Sequence, residues 1–140
     1  MARWVSGAGV DLLGLGAEFR TFWQERHLCT LTTTRPDGSL HVVPVGVTLD
    51  LATATARVIS DRGSRKVRNV LAAGADGGVV AVCQVDGRRW STLEGRAVIR
   101  EDLESVRDAE LRYTERYKPP RVNPHRAVIE ISVTRVLGNV

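Results

Sequence analysis

The chain has 140 residues, 43% hydrophobic and 26% charged, and carries a formal charge of +4 at pH 7. That length reads as a single domain, residues 1–140, able to bury a core without disulfide or metal staples, and that balance excludes a disordered chain. No stretch reaches the ~18 uninterrupted apolar residues of a membrane span. The apolar stretch after Arg3 is broken by glycines, Asp11 and Glu18, which argues against a secretory signal, so a cytoplasmic protein is expected.

Aromatic residues are few, so the core must be mostly Val, Leu, Ile and Ala, which favours a β-rich interior. Leu12, Leu15, Phe19, Phe22 and Trp23 recur at helical spacing opposite Glu18, Arg20, Gln24 and Glu25, predicting an amphipathic helix over residues 10–26. Residues 27–34 and 40–48 flank the turn Arg35-Pro36-Asp37-Gly38 and predict a β-hairpin. Its return strand scarcely alternates, so both of its faces should be covered. Pro44 has no N–H and Gly46 no side chain, so this is no ordinary central strand. A flat group lying on bare backbone would account for both residues, and so would an ordinary β-bulge.

A turn over residues 50–53 leads to a third strand over residues 54–60, then to a short helix over residues 64–73 with Val67, Val70 and Leu71 as its buried side. The apolar run 79–85 ends at Asp86-Gly87, a tight-turn signal, and residues 89–100 return antiparallel. Asp102 is placed to cap a helix running to about Tyr117, with Leu103, Val106, Glu110, Tyr113 and Tyr117 near one face and Pro119-Pro120 as its stop. Ile129, Ile131 and Val133 alternate with Glu130, Ser132 and Thr134, predicting a last strand over residues 127–136. These elements describe a mainly β fold with flanking helices, a small six-stranded antiparallel barrel, because most connections are too short for parallel crossovers.

Arg57, Arg62, Arg65, Lys66 and Arg68 fall within twelve positions and attract anions. Ser64 opens a helix there, and the free N–H groups of a helix start favour an anion. Arg65 and Lys66 carry the wrong sign for the helix dipole, a conflict that a bound phosphate removes; a solvated basic face is the plainer reading. Trp90, beside the tight turn, could stack on a planar ring or plug a barrel end. Cys29 and Cys83 sit in apolar runs without a C-x-x-C pair and read as buried reduced thiols. His27, His41 and His125 are scattered, without i,i+4 pairing or a nearby acidic ligand, so no metal site is expected. No serine-nucleophile motif or dinucleotide-binding glycine fingerprint is present. The cationic run lacks interleaved aromatics, so nucleic acid is not an expected partner.

Three stretches in order resemble the pyridoxamine-phosphate-oxidase-like split-barrel superfamily: T-T-x-R-P-D-G-x-x-H-V-V-P-V-G from Thr32 to Gly46, S-x-K-x-x-N at Ser64, Lys66 and Asn69, and Q-V-D-G-x-R-W-x-x-L-E-G-R-A from Gln84 to Ala97. The stretch D-A-E-L-R-Y-x-x-R-Y from Asp108 to Tyr117, followed by P-R-x-N-P from Pro120 to Pro124, is similar to the F420-dependent branch of that superfamily, the biliverdin reductases. The resemblance implies a split β-barrel of the FMN-binding type and a homodimer with its sites between protomers. Coenzyme F420 is the implied cofactor, with FMN as the alternative. Its tricyclic ring would lie along Val42, Val43, Pro44, Val45 and Gly46, and its phosphate at Ser60, Ser64, Arg65 and Lys66, with Asn69 in the same motif. Arg35 and Arg62 would face the acidic tail, and Arg88 and Trp90 would come from the partner protomer. The implied activity is hydride transfer from the reduced deazaflavin to a conjugated acceptor such as a tetrapyrrole, biliverdin to bilirubin, with propionates paired to arginines. No residue stands out as proton donor, and solvent is the source left. An FMN-dependent oxidase or reductase, and a non-catalytic module binding flavin, haem or a tetrapyrrole, are the alternatives on the same scaffold.

Overall fold

The computed structural model describes residues 3–6 and 10–140. Its strands are β1 (Arg3–Ser6), β2 (Cys29–Thr34), β3 (Leu40–Val45), β4 (Thr48–Asp50), β5 (Thr55–Asp61), β6 (Gly78–Asp86), β7 (Arg89–Arg100) and β8 (Arg126–Asn139). Its α-helices are α1 (Ala17–Gln24), α2 (Arg65–Ala72) and α3 (Leu103–Arg116). Every strand pairing is antiparallel, in the order β3-β2-β6-β7-β8-β5-β4, with β1 alongside the second half of β8. No helix among the described residues is long and apolar enough to cross a membrane.

The mainly β class and flanking helices match expectation, but the six-stranded barrel does not. Residues 3–6 supply a strand the hydropathy pattern does not announce, and the predicted return strand 40–48 is two strands. After Val45 the chain leaves β2 and, across Gly46 and Val47 alone, enters β4 at the other end of the sheet order. Two residues extend about 7 Å, so the sheet must curl until its terminal strands nearly meet, without a hydrogen-bonded closure. β3 is therefore an edge strand, which tolerates Pro44 opposite Thr30. Only its inward face is covered: Leu40 and Val42 are 65% and 57% exposed, against 7% for Val45.

The other departures are local. Gly16, at φ 101°, divides the predicted 10–26 helix into a single turn of 3-10 helix (Leu13–Leu15) and α1. The apolar stripe survives that break, with Leu12, Leu15, Phe19, Phe22 and Trp23 all buried. In α2 the helix is rotated so that Asn69, not Leu71, faces the sheet; Leu71 is exposed beside buried Val67 and Val70. Leu103 in α3 is likewise exposed. Ser64 and Asp102 cap α2 and α3 by accepting from Val67 N and Ser105 N. β8 alternates as expected through Val133, after which the β7–β8 register shifts at Glu94/Gly95. A side chain at Gly95 would collide with the Ser132 carbonyl oxygen, 2.1 Å from where its Cβ would stand.

Candidate functional site

The corner where β3 crosses to β4 opens into a cleft of about 500 Å3. Pro44, Val45 and Gly46 form one wall, Ile59, Ser60 and Lys66 another, and Tyr113 with the segment 118–126 the third. The topology explains this convergence. The end of β5 delivers Ser60 to the start of α2, and the curl of the sheet brings both against the β3 edge.

Of the residues expected at a cofactor, Pro44, Val45, Gly46, Ser60 and Lys66 line this cleft. Ser64 adjoins it through the Ser60 Oγ–Ser64 Oγ contact of 2.9 Å. Lys66 is half-buried, and desolvation lowers its pKa against the opposing pull of Asp61. It makes no hydrogen bond or ion pair with another described residue. Arg65 is exposed on the same first turn, and Arg62 is exposed with its Nε 3.9 Å from Glu101. Arg35 is tied across its own hairpin, donating to Leu40 O at 2.6 Å and Ser39 Oγ at 3.3 Å.

Five expected residues stand elsewhere in the protomer. Val42 points to the open outer face of the sheet. Asn69 is buried behind α2, donating from Nδ2 to Thr33 Oγ1 at 2.9 Å. Arg88 and Trp90 lie at the opposite end of β6 and β7 from α2, roughly 27 Å along the strands. Val43 faces inward, packed against the core. Gly46 has a reason within the chain itself: a Cβ there would stand 2.8 Å from the Tyr113 ring and 3.1 Å from that of Tyr117. The flat group against bare backbone is this stacked tyrosine pair, with centroids 5.0 Å apart.

Sequence reasoning passed over Lys118, Arg121, Asn123 and Arg126 as individual wall residues, although the P-R-x-N-P stretch contains two of them. Asn123 donates to Asp61 Oδ1 at 3.2 Å and Arg126 pairs with Glu110 while donating to Arg121 O, so the segment is anchored to β5 and α3. It also missed the knot behind the tyrosines. Arg116, 9% exposed, donates to Glu25 O, Val47 O and Gln84 Oε1 at 2.5–2.9 Å and lies against the Trp23 and Tyr117 rings. Tyr117 donates its hydroxyl to His27 O at 2.7 Å and accepts from Val47 N at 3.1 Å. Burial pushes its pKa up to about 12, and burial also raises that of the Cys29 thiol beside it. Cys29 is buried as expected, whereas Cys83 is only half-buried, on the outer face of β6.

His27 has acidic neighbours after all. Its Nε2 is 2.9 Å from Glu25 Oε1, and Asp86 completes a group whose ligand atoms lie within 4.8 Å of one another. The charge of both carboxylates is already met by Arg89 Nη2, 3.1 Å from Glu25 and 2.5 Å from Asp86.

Residues 15–139 match the family model described as pyridoxamine 5'-phosphate oxidase. The chain is 54% identical over 119 residues to the F420H2-dependent biliverdin reductase of Mycobacterium tuberculosis, covering 84% of this chain and 83% of that protein. Among solved structures, one titled F420 reductase superposes with a TM-score of 0.67 at 22% identity, covering 84% of this chain and 94% of that one. A haem-storage protein of Vibrio cholerae superposes with a TM-score of 0.68 at 16% identity, covering 86% of this chain and 90% of that one. At such identities these two likenesses speak to the fold alone.

Proposed function

Because the chain belongs to the pyridoxamine 5'-phosphate oxidase family, we propose that it is an oxidoreductase that uses reduced coenzyme F420 to reduce biliverdin to bilirubin. The observation that carries this is the 54% identity to a reductase of that specificity over most of both chains. The cleft fits such a group: it is large, walled by the bare edge of Pro44–Gly46, and supplied with a desolvated lysine that lacks a partner.

In this reading Ser60, Ser64, Arg65 and Lys66 hold the cofactor's phosphate, and the α2 dipole adds to their attraction. Pro44, Val45 and Gly46 give the ring an edge to lie along, with Tyr113 behind it. Arg35 and Arg62, joined by Lys118 and Arg121, face the acidic tail. When bound, the reduced deazaflavin supplies a hydride to the conjugated acceptor. The residues of the chain orient it and screen one side of the ring from water, and arginines at the rim pair with the propionates of the substrate. The proton comes from solvent.

A second copy of the chain completes the site. The outer face of β3, β2, β6 and β7 leaves Leu40, Val42, Val79 and Val85 each more than half exposed, an apolar sheet face of the kind that marks an interface. Arg88 and Trp90, at the far end of β6 and β7 from α2, reach a cleft only when a second copy lies across that face.

Titrating the pure protein with F420 and FMN in parallel, then supplying F420H2 and biliverdin, tests the reading. Tighter binding of F420 and consumption of biliverdin are expected, from a species that light scattering sizes as a dimer. Stoichiometric FMN retained through gel filtration overturns the cofactor assignment. Binding without turnover leaves a binding module and overturns the enzyme.

A further inference from the structure

The β5–β8 ladder ends at the pair Asp61–Arg126, and one further backbone bond, from Arg62 N to His125 O at 2.9 Å, extends it. Beyond that point the two strands part. The chain leaving β5 turns through Gly63 into α2 and carries Ser64, Arg65 and Lys66, while the segment 118–125 that enters β8 forms the third wall. The cleft opens in the fork between them. Pro119 and Pro120 have no N–H, so this stretch of the wall is not tied through its own amides, and the tie is made at its other end.

Asn123 is the hub of that end. Its Oδ1 accepts from His125 N at 2.8 Å and its backbone oxygen from Arg126 N at 3.2 Å, while its Nδ2 crosses the fork to donate to Asp61 Oδ1 at 3.2 Å. The other carboxylate oxygen, Oδ2, accepts from Gly63 N at 2.8 Å, at the turn into α2. Asp61 and Asn123 both line the cleft, and Asp61 is the one acid among its described lining residues, beside Lys66, Lys118, Arg121 and Arg126. By charge alone that carboxylate opposes an anionic ligand. By hydrogen bonding it joins the turn before α2 to the third wall. Gly63 N and then Asn123 hold its carboxyl below the usual carboxylate range, so the tie is ionised at neutral pH.

We propose that Asp61 and Asn123 are positioning residues: their hydrogen bond clasps the third wall to the phosphate corner and slows departure of the cofactor. The inference rests on the reading above that F420 binds in this cleft. A wall already ordered in the free protein costs no ordering entropy when the ligand arrives. Arg126 donates to the carbonyls of both Arg121 and Asn123, from Nη2 at 2.6 Å and from N at 3.2 Å, so the cationic stretch of the wall is set by where Asn123 sits. Charge and clasp make opposite predictions. Neutralising Asp61 removes a repulsion, so charge alone gives tighter binding. The clasp gives weaker binding, because an amide at position 61 offers one oxygen to two donors.

The test measures F420 affinity by titration and F420 release by stopped flow for the wild type, Asp61→Asn, Asn123→Asp and the exchanged pair Asp61→Asn with Asn123→Asp. In the exchanged pair the amide at position 61 donates to the carboxylate at position 123 and still accepts from Gly63 N, and that carboxylate still accepts from His125 N. The hydrogen bonds are kept with one donor and acceptor reversed, and the net charge is that of the wild type. Each single exchange should speed release by roughly 3- to 10-fold, the worth of one hydrogen bond, and the pair should return it to within about 2-fold of the wild type. Asp61→Asn that binds F420 as tightly as the wild type, or more tightly, overturns the proposal. So does a pair that releases F420 as fast as the single variants. Lys66→Ala separates this inference from the reading beneath it. Should Lys66→Ala leave F420 affinity unchanged, the placement of the phosphate fails and the clasp with it. Should Lys66→Ala weaken binding while Asp61→Asn does not, the placement stands and the clasp alone is refuted.

Discussion

At one end of α3, Arg116 is buried with its guanidinium shared among two carbonyls and an amide oxygen and lying against the Trp23 and Tyr117 rings. At the start of α2, Lys66 is half-buried and makes no hydrogen bond or ion pair with another described residue, with only the longer-range pull of Asp61 to offset its desolvation. Both regions take a cation out of water, and only one meets it with hydrogen bonds. The satisfied cation ties α1, the β3–β4 crossover and β6 together, and is a structural rivet. The other is held away from water without a hydrogen bond, and under the proposed function a bound anion meets it. Burial of charge therefore separates fold from function here through its partners rather than its depth.

Exchanging residues across that divide sharpens the contrast. Arg116→Ala removes three hydrogen bonds, two of them buried, and should lower stability by about 3 kcal/mol or more, read by chemical denaturation. A loss under ~1 kcal/mol would show that the knot is not a rivet. Lys66→Ala should do the reverse, weakening F420 binding by about 1–3 kcal/mol while leaving the denaturation midpoint nearly unmoved. A large stability loss in that variant would merge the two regions into one. Tyr117→Phe is the mildest, about 1–2 kcal/mol for its hydroxyl bonds, and it carries a pH signature. The pKa of Tyr117 is raised in the folded protein to about 12. The folded state thus keeps a proton the unfolded chain releases, and this contribution is lost as pH rises from about 10 towards 12. Wild-type stability should fall across that window more steeply than that of Tyr117→Phe; parallel curves would remove the tyrosine from the alkaline transition.

The α2 corner was the more legible of the two regions. Ser64, Arg65 and Lys66 are contiguous, so a helix start with the wrong charge sign can be read from adjacent letters. The hydrogen-bond acceptors of Arg116 lie 32 to 91 residues away in the chain, so the D-A-E-L-R-Y-x-x-R-Y stretch that contains it does not show what it holds. Leu71 and Asn69 exchanged roles because helical spacing defines an arc of residues without saying how the helix will be turned against its sheet.

The sequence by itself determined the alternation of strands, the hairpin turns, the caps of α2 and α3 and the apolar stripe of α1, since each depends on residues within a few positions of one another. The tertiary structure alone decided that the run 40–48 divides between opposite ends of the sheet, that Gly46 makes room for two tyrosines from α3, and which cations are left without acceptors. These outcomes depend on how far the sheet curls, which is a sum over all its pairings. No window of the chain contains that sum.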